Sequence, residues 1–173
     1  GDILSIDVGT ILDGFVGDSA VTMPVGAISA EAQHLLQVTE QALWRGIEAS
    51  RVGNRLGDVS AAIQEWVESQ GLSVVREYTG HGVGRRMHEP PQIFNWGTRR
   101  RGLLLKAGMT YALEPMVTIG APLLYRETDG WTVSTAHGGL CAHFEHTVAV
   151  TENGPDILPF AVADVIRAFP AHE

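Results

Sequence analysis

The chain has 173 residues, enough for one domain with a real core, and its 45% hydrophobic and 18% charged content is that of a globular protein. A net charge of −8 excludes a general nucleic-acid binder, a single cysteine (Cys141) excludes an internal disulfide framework, and no apolar run approaches a membrane span. With no signal peptide visible either, the composition suits a reducing cytoplasm.

The opening GDILSID starts inside a strand-like run without an initiator Met, so further sequence upstream is expected. ILSIDVGTIL and FVGDSAVTM flank Asp13-Gly14, a strong two-residue turn signal, and predict a β-hairpin. Ser29 is a good N-cap for a helix running to Gly53, with Ala32, Leu35, Leu36, Ala42, Leu43 and Ile47 at helical spacing. A second helix is expected from about Asp58 to Gly71, with Val59, Ala62, Ile63, Trp66 and Val67 on one face. SVVREY reads as a strand, followed by the segment YTGHGVGRRMHEPPQ and an Arg-rich loop. MTYALEPMVTI, GWTVST and FEHTVAVTE read as further strands, with a short helix near 160–169. The pattern predicts an α+β domain with a mainly antiparallel sheet, residues 1–173 forming a single domain.

The Gly-rich segment around His81 and His88 fits no phosphate loop, because no G-x-G-x-x-G or G-K-[ST] spacing exists there. Acidic residues elsewhere supply an alternative. Folding the hairpin about Asp13-Gly14 places Gly9 opposite Asp18 and Asp7 opposite Ala20, so Asp7 and Asp18 are diagonal neighbours on one face. Glu114 and Glu145 interrupt apolar strands where an unpaired carboxylate is costly to bury. Four carboxylates with His81 form an oxygen-rich set, unlike a Cys-rich structural zinc site and more like a two-metal hydrolytic centre. The glycines beside His81 are then expected to let backbone approach metals and substrate. GDILSID and GMTYALE both run from glycine through an apolar strand to an acid, a hint of two related halves.

IDVGTILDGFVGD, YTGHGVGRRMHEPPQ, GMTYALEPM, DGWTVST and FEHTVAVTENG, in that order, make the chain resemble the type I methionine aminopeptidases from Gly1 to about Leu158. The resemblance implies a pita-bread α+β fold of two pseudo-symmetric halves, here lacking the family's N-terminal segment. It implies two divalent cations (Co, Mn, Fe, Zn or Ni), with Asp7 on the first, His81 and Glu114 on the second, and Asp18 and Glu145 bridging. Glu114 would be the general base and His88 would contact substrate and stabilise the tetrahedral intermediate. Tyr78, Met87 and Trp131 would border the methionine pocket; Met87 stands where the family commonly has an aromatic residue. The implied function is removal of N-terminal methionine from peptides and nascent chains when the second residue is small. The implied enzyme is cytoplasmic and monomeric, meets no nucleic acid directly and binds no membrane; a ribosome contact is compatible with it. Proline-specific aminopeptidases and prolidases share the fold and ligands but usually carry a large N-terminal domain and lack DGWTVST. A non-catalytic pita-bread module is expected to have substituted ligands, and none is substituted here.

Overall fold

The computed structural model describes residues 1–158. Strands β1 (Ile3–Leu12) and β2 (Phe15–Pro24) form the expected hairpin, with Leu12 facing Phe15, Gly9 facing Asp18 and Asp7 facing Ala20. Asp13 (φ +50°) and Gly14 (φ +79°) are both left-handed, the turn geometry whose twist matches that of the flanking strands.

Helix α1 (Ala30–Ala49) starts where the Ser29 hydroxyl accepts the Ala32 N–H at 3.1 Å. Helix α2 (Leu56–Ser69) begins two residues before the expected Asp58. Asp58 lies inside the first turn, where its carboxylate reaches back to the Arg55 N–H at 2.8 Å and also takes the Arg100 N–H at 2.9 Å. That satisfies a donor the helix end would otherwise leave open. The helices pack closely: the Trp66 indole N–H donates to the Val38 carbonyl, and a Cβ on Gly46 would lie 2.8 Å from Leu113 and 2.9 Å from Ile63.

The remaining strands are β3 (Ser73–Val74), β4 (Gly80–Gly82), β5 (Glu89–Ile93), β6 (Thr110–Leu113), β7 (Met116–Thr118), β8 (Leu124–Arg126), β9 (Val133–Thr135), β10 (Cys141–His143), β11 (Glu145–Thr151) and β12 (Gly154–Ile157). All pair antiparallel: a large sheet in the order β1-β2-β11-β6-β4-β5 with β12 on β11, a second sheet β10-β7-β3, and the ribbon β8-β9. Two expectations need correction, and one segment left unassigned gains a structure. SVVREY supplies only a two-residue strand. The glycine-histidine segment is itself paired, as β4 and β5. MTYALEPMVTI is two strands in two sheets, broken at Glu114-Pro115, where proline offers no N–H to continue a ladder. Phe144 marks the matching step between β10 and β11, and its N–H donates to the Pro115 carbonyl. The helix expected near 160–169 lies outside the described residues.

Leu35, Leu43, Ile63, Leu113, Val117 and Val148 are fully buried where the helices meet the sheets. Each such side chain contributes about 1.5–3 kcal/mol by leaving water. Among the described residues no helix is long and apolar enough to cross a membrane.

Candidate active site

Residues opposite one another in a sheet share a face, and so do residues two apart on a strand. Asp7 pairs with Ala20 and Ala20 with Glu145; continuing the His146–Leu113 register sets Glu145 opposite Glu114. Asp18 is two residues before Ala20, and His81 pairs with Ala112, two before Glu114. All five therefore project from one face, opposite the helices. His146, next to Glu145, points the other way and meets the Trp44 ring of α1 edge-on at 5.9 Å.

The face closes into a cavity of about 670 Å³ lined by Asp7, Asp18, His81, Glu114 and Glu145 together with Tyr78, Met87 and His88. His81 Nε2 is 3.6 Å from Asp18 Oδ2 and 3.5 Å from Glu114 Oε1. Ligand-type atoms of Asp18, His81 and Glu145 lie within 4.8 Å of one another. The His88 ring centroid is 4.3 Å from that of His81. Met87 lies over Gly9, whose Cβ, if present, would fall 2.1 Å from its terminal methyl carbon. Trp131 stands apart. It is 88% exposed and lines an adjoining cavity of about 1110 Å³, which Tyr78 also borders.

The electrostatics call for a cation. Burial, then repulsion from Asp18 and Asp7, pushes Glu114 up to about 8. Burial, then Glu114, Asp18 and Asp7, pushes Glu145 up to about 10. Asp18 is also raised, by burial and then by Asp7, against the pull of His81 and His88. The buried Glu145 Oε1 has no hydrogen-bond partner. His81 Nδ1 is 3.0 Å from the Gly82 carbonyl, which can only accept, so Nδ1 carries a proton and turns Nε2 toward the acids. An imidazole nitrogen among converging carboxylates, one with an orphaned oxygen, is a donor set that fits divalent cations.

The glycines of the His81 segment have a packing use as well. A Cβ on Gly80 would lie 2.3 Å from the Ala112 carbonyl oxygen, and one on Gly82 would lie 2.4 Å from that of Pro90. Their bareness lets β4 lie tightly between β6 and β5, which holds His81 in place, and Gly80 also borders the cavity. His143, which the sequence did not single out, also faces these acids. Its buried Nε2 has no hydrogen-bond partner and lies 3.8 Å from Glu114 Oε2, and burial lowers its pKa. The available signal was its position two residues before Glu145. Asn95, also unremarked, is fully buried and donates from Nδ2 to the Glu114 carbonyl at 3.0 Å.

Over residues 1–152 the chain matches metallopeptidase family M24. It is 52% identical over 158 residues to methionine aminopeptidase 1 of Bacillus subtilis, covering 91% of this chain and 64% of that protein. The chain thus spans just under two thirds of that relative's length. The crystal structure of methionine aminopeptidase from Rickettsia prowazekii superposes with a TM-score of 0.89 at 46% identity, covering 91% of this chain and 64% of that one. A prolidase from Pyrococcus furiosus superposes at 0.71 with 25% identity, covering 91% and 41%. The fold is the α+β pita-bread architecture of these neighbours. An antiparallel sheet whose one face gathers four acids and an imidazole is the setting in which that match falls, and the chain belongs to metallopeptidase family M24.

Proposed function

We propose that residues 1–173 are the catalytic domain of a methionine aminopeptidase that removes N-terminal methionine from peptides and nascent chains. The observation that carries this reading is the gathering of Asp7, Asp18, His81, Glu114 and Glu145 in one cavity with His88, on a chain 52% identical to a protein of that name. Asp7 would hold one divalent cation, His81 and Glu114 a second, with Asp18 and Glu145 shared between them. Bound cations supply Lewis acidity, polarising the scissile carbonyl and lowering the pKa of water.

The chain's own groups do the rest. Glu114 takes the proton of the attacking water and passes it to the departing amine. His88, beside His81, donates a hydrogen bond to the oxygen on which charge develops. Tyr78 and Met87 border the methionine side chain, whose burial contributes roughly 1.5–3 kcal/mol. Trp131 belongs to the same pocket only if the β8-β9 ribbon carries it toward Tyr78. The floor of carboxylates beside His88 leaves little room for a bulky second residue.

The test is a peptide panel with Met, Leu, Ala or Arg first and Gly, Ala, Leu or Pro second, using the full-length protein at fixed Mn²⁺. Methionine should lead leucine at least tenfold, which takes about 1.4 kcal/mol. Small second residues should be strongly preferred. Preference for Xaa-Pro whatever the first residue would shift the assignment toward the prolidase side of the family. No cleavage by a fully metallated protein would leave a binding module.

A further inference from the structure

The two strands that contribute Asp18 and Glu145 meet at the middle of the large sheet through a very short ladder, Ala20 with Glu145 and Ser19 with His146. The same register carried outward sets Asp18 opposite Thr147 and Thr22 opposite His143. At both places a threonine side chain stands between the main chains. The Thr147 hydroxyl donates to the Asp18 carbonyl and accepts the Asp18 N–H, both at 2.9 Å. The Thr22 hydroxyl does the same for His143, at 2.8 Å each way. Having only one hydrogen, and giving it to His143, Thr22 must accept from the Ser5 hydroxyl 2.8 Å away.

The two clamps are reciprocal. In one the hydroxyl comes from β11 and grips β2; in the other it comes from β2 and grips β10. Both threonines are 3% exposed, so water cannot replace either hydroxyl at low cost. A hydroxyl inserted between main chains holds them farther apart than a direct N–H···O=C bond does. The residues gripped are Asp18, one of the converging acids, and His143, whose imidazole faces Glu114.

We propose that Thr147 and Thr22 are positioning residues of the metal centre: their hydroxyls, flanking the two-rung ladder at Glu145, set the spacing of the strands carrying Asp18 and Glu145 beyond it, and with it the affinity for divalent cations. The proposal rests on the metal-centre reading above. Thr147→Val preserves shape and removes the hydroxyl, whereas Thr147→Ser keeps it. Full-length protein stripped with chelator is titrated calorimetrically with Mn²⁺, alongside thermal melts and far-UV circular dichroism of the metal-free forms. Thr147→Val should weaken Mn²⁺ binding by tenfold or more, and Thr147→Ser should stay within threefold of wild type. A merely structural hydroxyl would lower the metal-free melting temperature and leave the dissociation constant where it was, which would overturn the proposal. So would a serine variant as weak as the valine one. If Thr147→Val does not fold, Thr22→Val at the other clamp is held to the same tenfold criterion. Wild-type protein that binds no Mn²⁺ would remove the metal-centre reading together with this one; wild type that binds while both valine variants match it would remove this one alone.

Discussion

Replacing Glu145 by glutamine should make the metal-free protein more stable while destroying its response to metal. Glu145 is 2% exposed, one carboxylate oxygen has no partner, and its carboxyl is pushed up to about 10 by burial and by Glu114, Asp18 and Asp7. A carboxyl raised in the folded state lends its full stability only below its ordinary value of 4.5, and loses it as pH rises toward about 10. At pH 7 it has therefore lost two and a half pH units' worth, at about 1.36 kcal/mol per unit. The upper bound is about 3.4 kcal/mol relative to a neutral isostere. Because Glu114 is raised by the same neighbours and shares the repulsion, about 1–3 kcal/mol is the working range. In a chain of this size that is a melting-temperature gain of about 2–4 °C per kcal/mol. Urea unfolding of chelator-treated wild type and Glu145→Gln at pH 5, 7 and 8.5, with and without Mn²⁺, measures it. Wild type should weaken from pH 5 to 8.5 and recover with metal; the variant should be flatter in pH and indifferent to metal. A variant less stable than wild type at pH 7 without metal, or a wild type with no loss of stability over that range, would refute the reasoning.

His88→Ala should keep its metal content by elemental analysis and lose about 10²–10³ in turnover, the usual worth of one hydrogen bond made only in the transition state; parallel loss of metal would make His88 a ligand or a support. Gly80→Ala, which drives a Cβ to 2.3 Å from the Ala112 carbonyl, should cost about 3 kcal/mol of stability in denaturant unfolding. An unchanged midpoint would mean that β4 can shift without penalty.

The hairpin and its register were legible because Asp13-Gly14 leaves one way to pair ten residues with ten, and that alone brings Asp7 and Asp18 to one face. Glu114 and Glu145 stood out as acids inside apolar strands. What stayed hidden is set by distant pairing. Nothing near Gly80 says that Ala112 will press against it, and nothing near Thr147 says that Asp18 will lie across from it. The break at Glu114-Pro115 was readable from the proline, yet that the two pieces enter different sheets was not. Trp131 looked like a wall of the site from its place in the motif order; its exposure depends on how the β8-β9 ribbon leaves the sheets.

The gathering of five ligand-type side chains on one face also constrains which insertions and deletions the gene can accept. Strand side chains alternate with a period of two, so adding or removing one residue within β2 or β11 would turn a carboxylate toward the helices and a core residue into the cavity. Asp7 and Asp18, joined by a two-residue turn, are locked to each other in this way. The stretch between Pro24 and His81 is different, because it contains both helices and the loops joining them, where length can change without altering which way Asp18 or His81 points. Length variation among functional homologues should therefore collect in the loops beyond Pro24 that flank and join the two helices, and be absent from the hairpin.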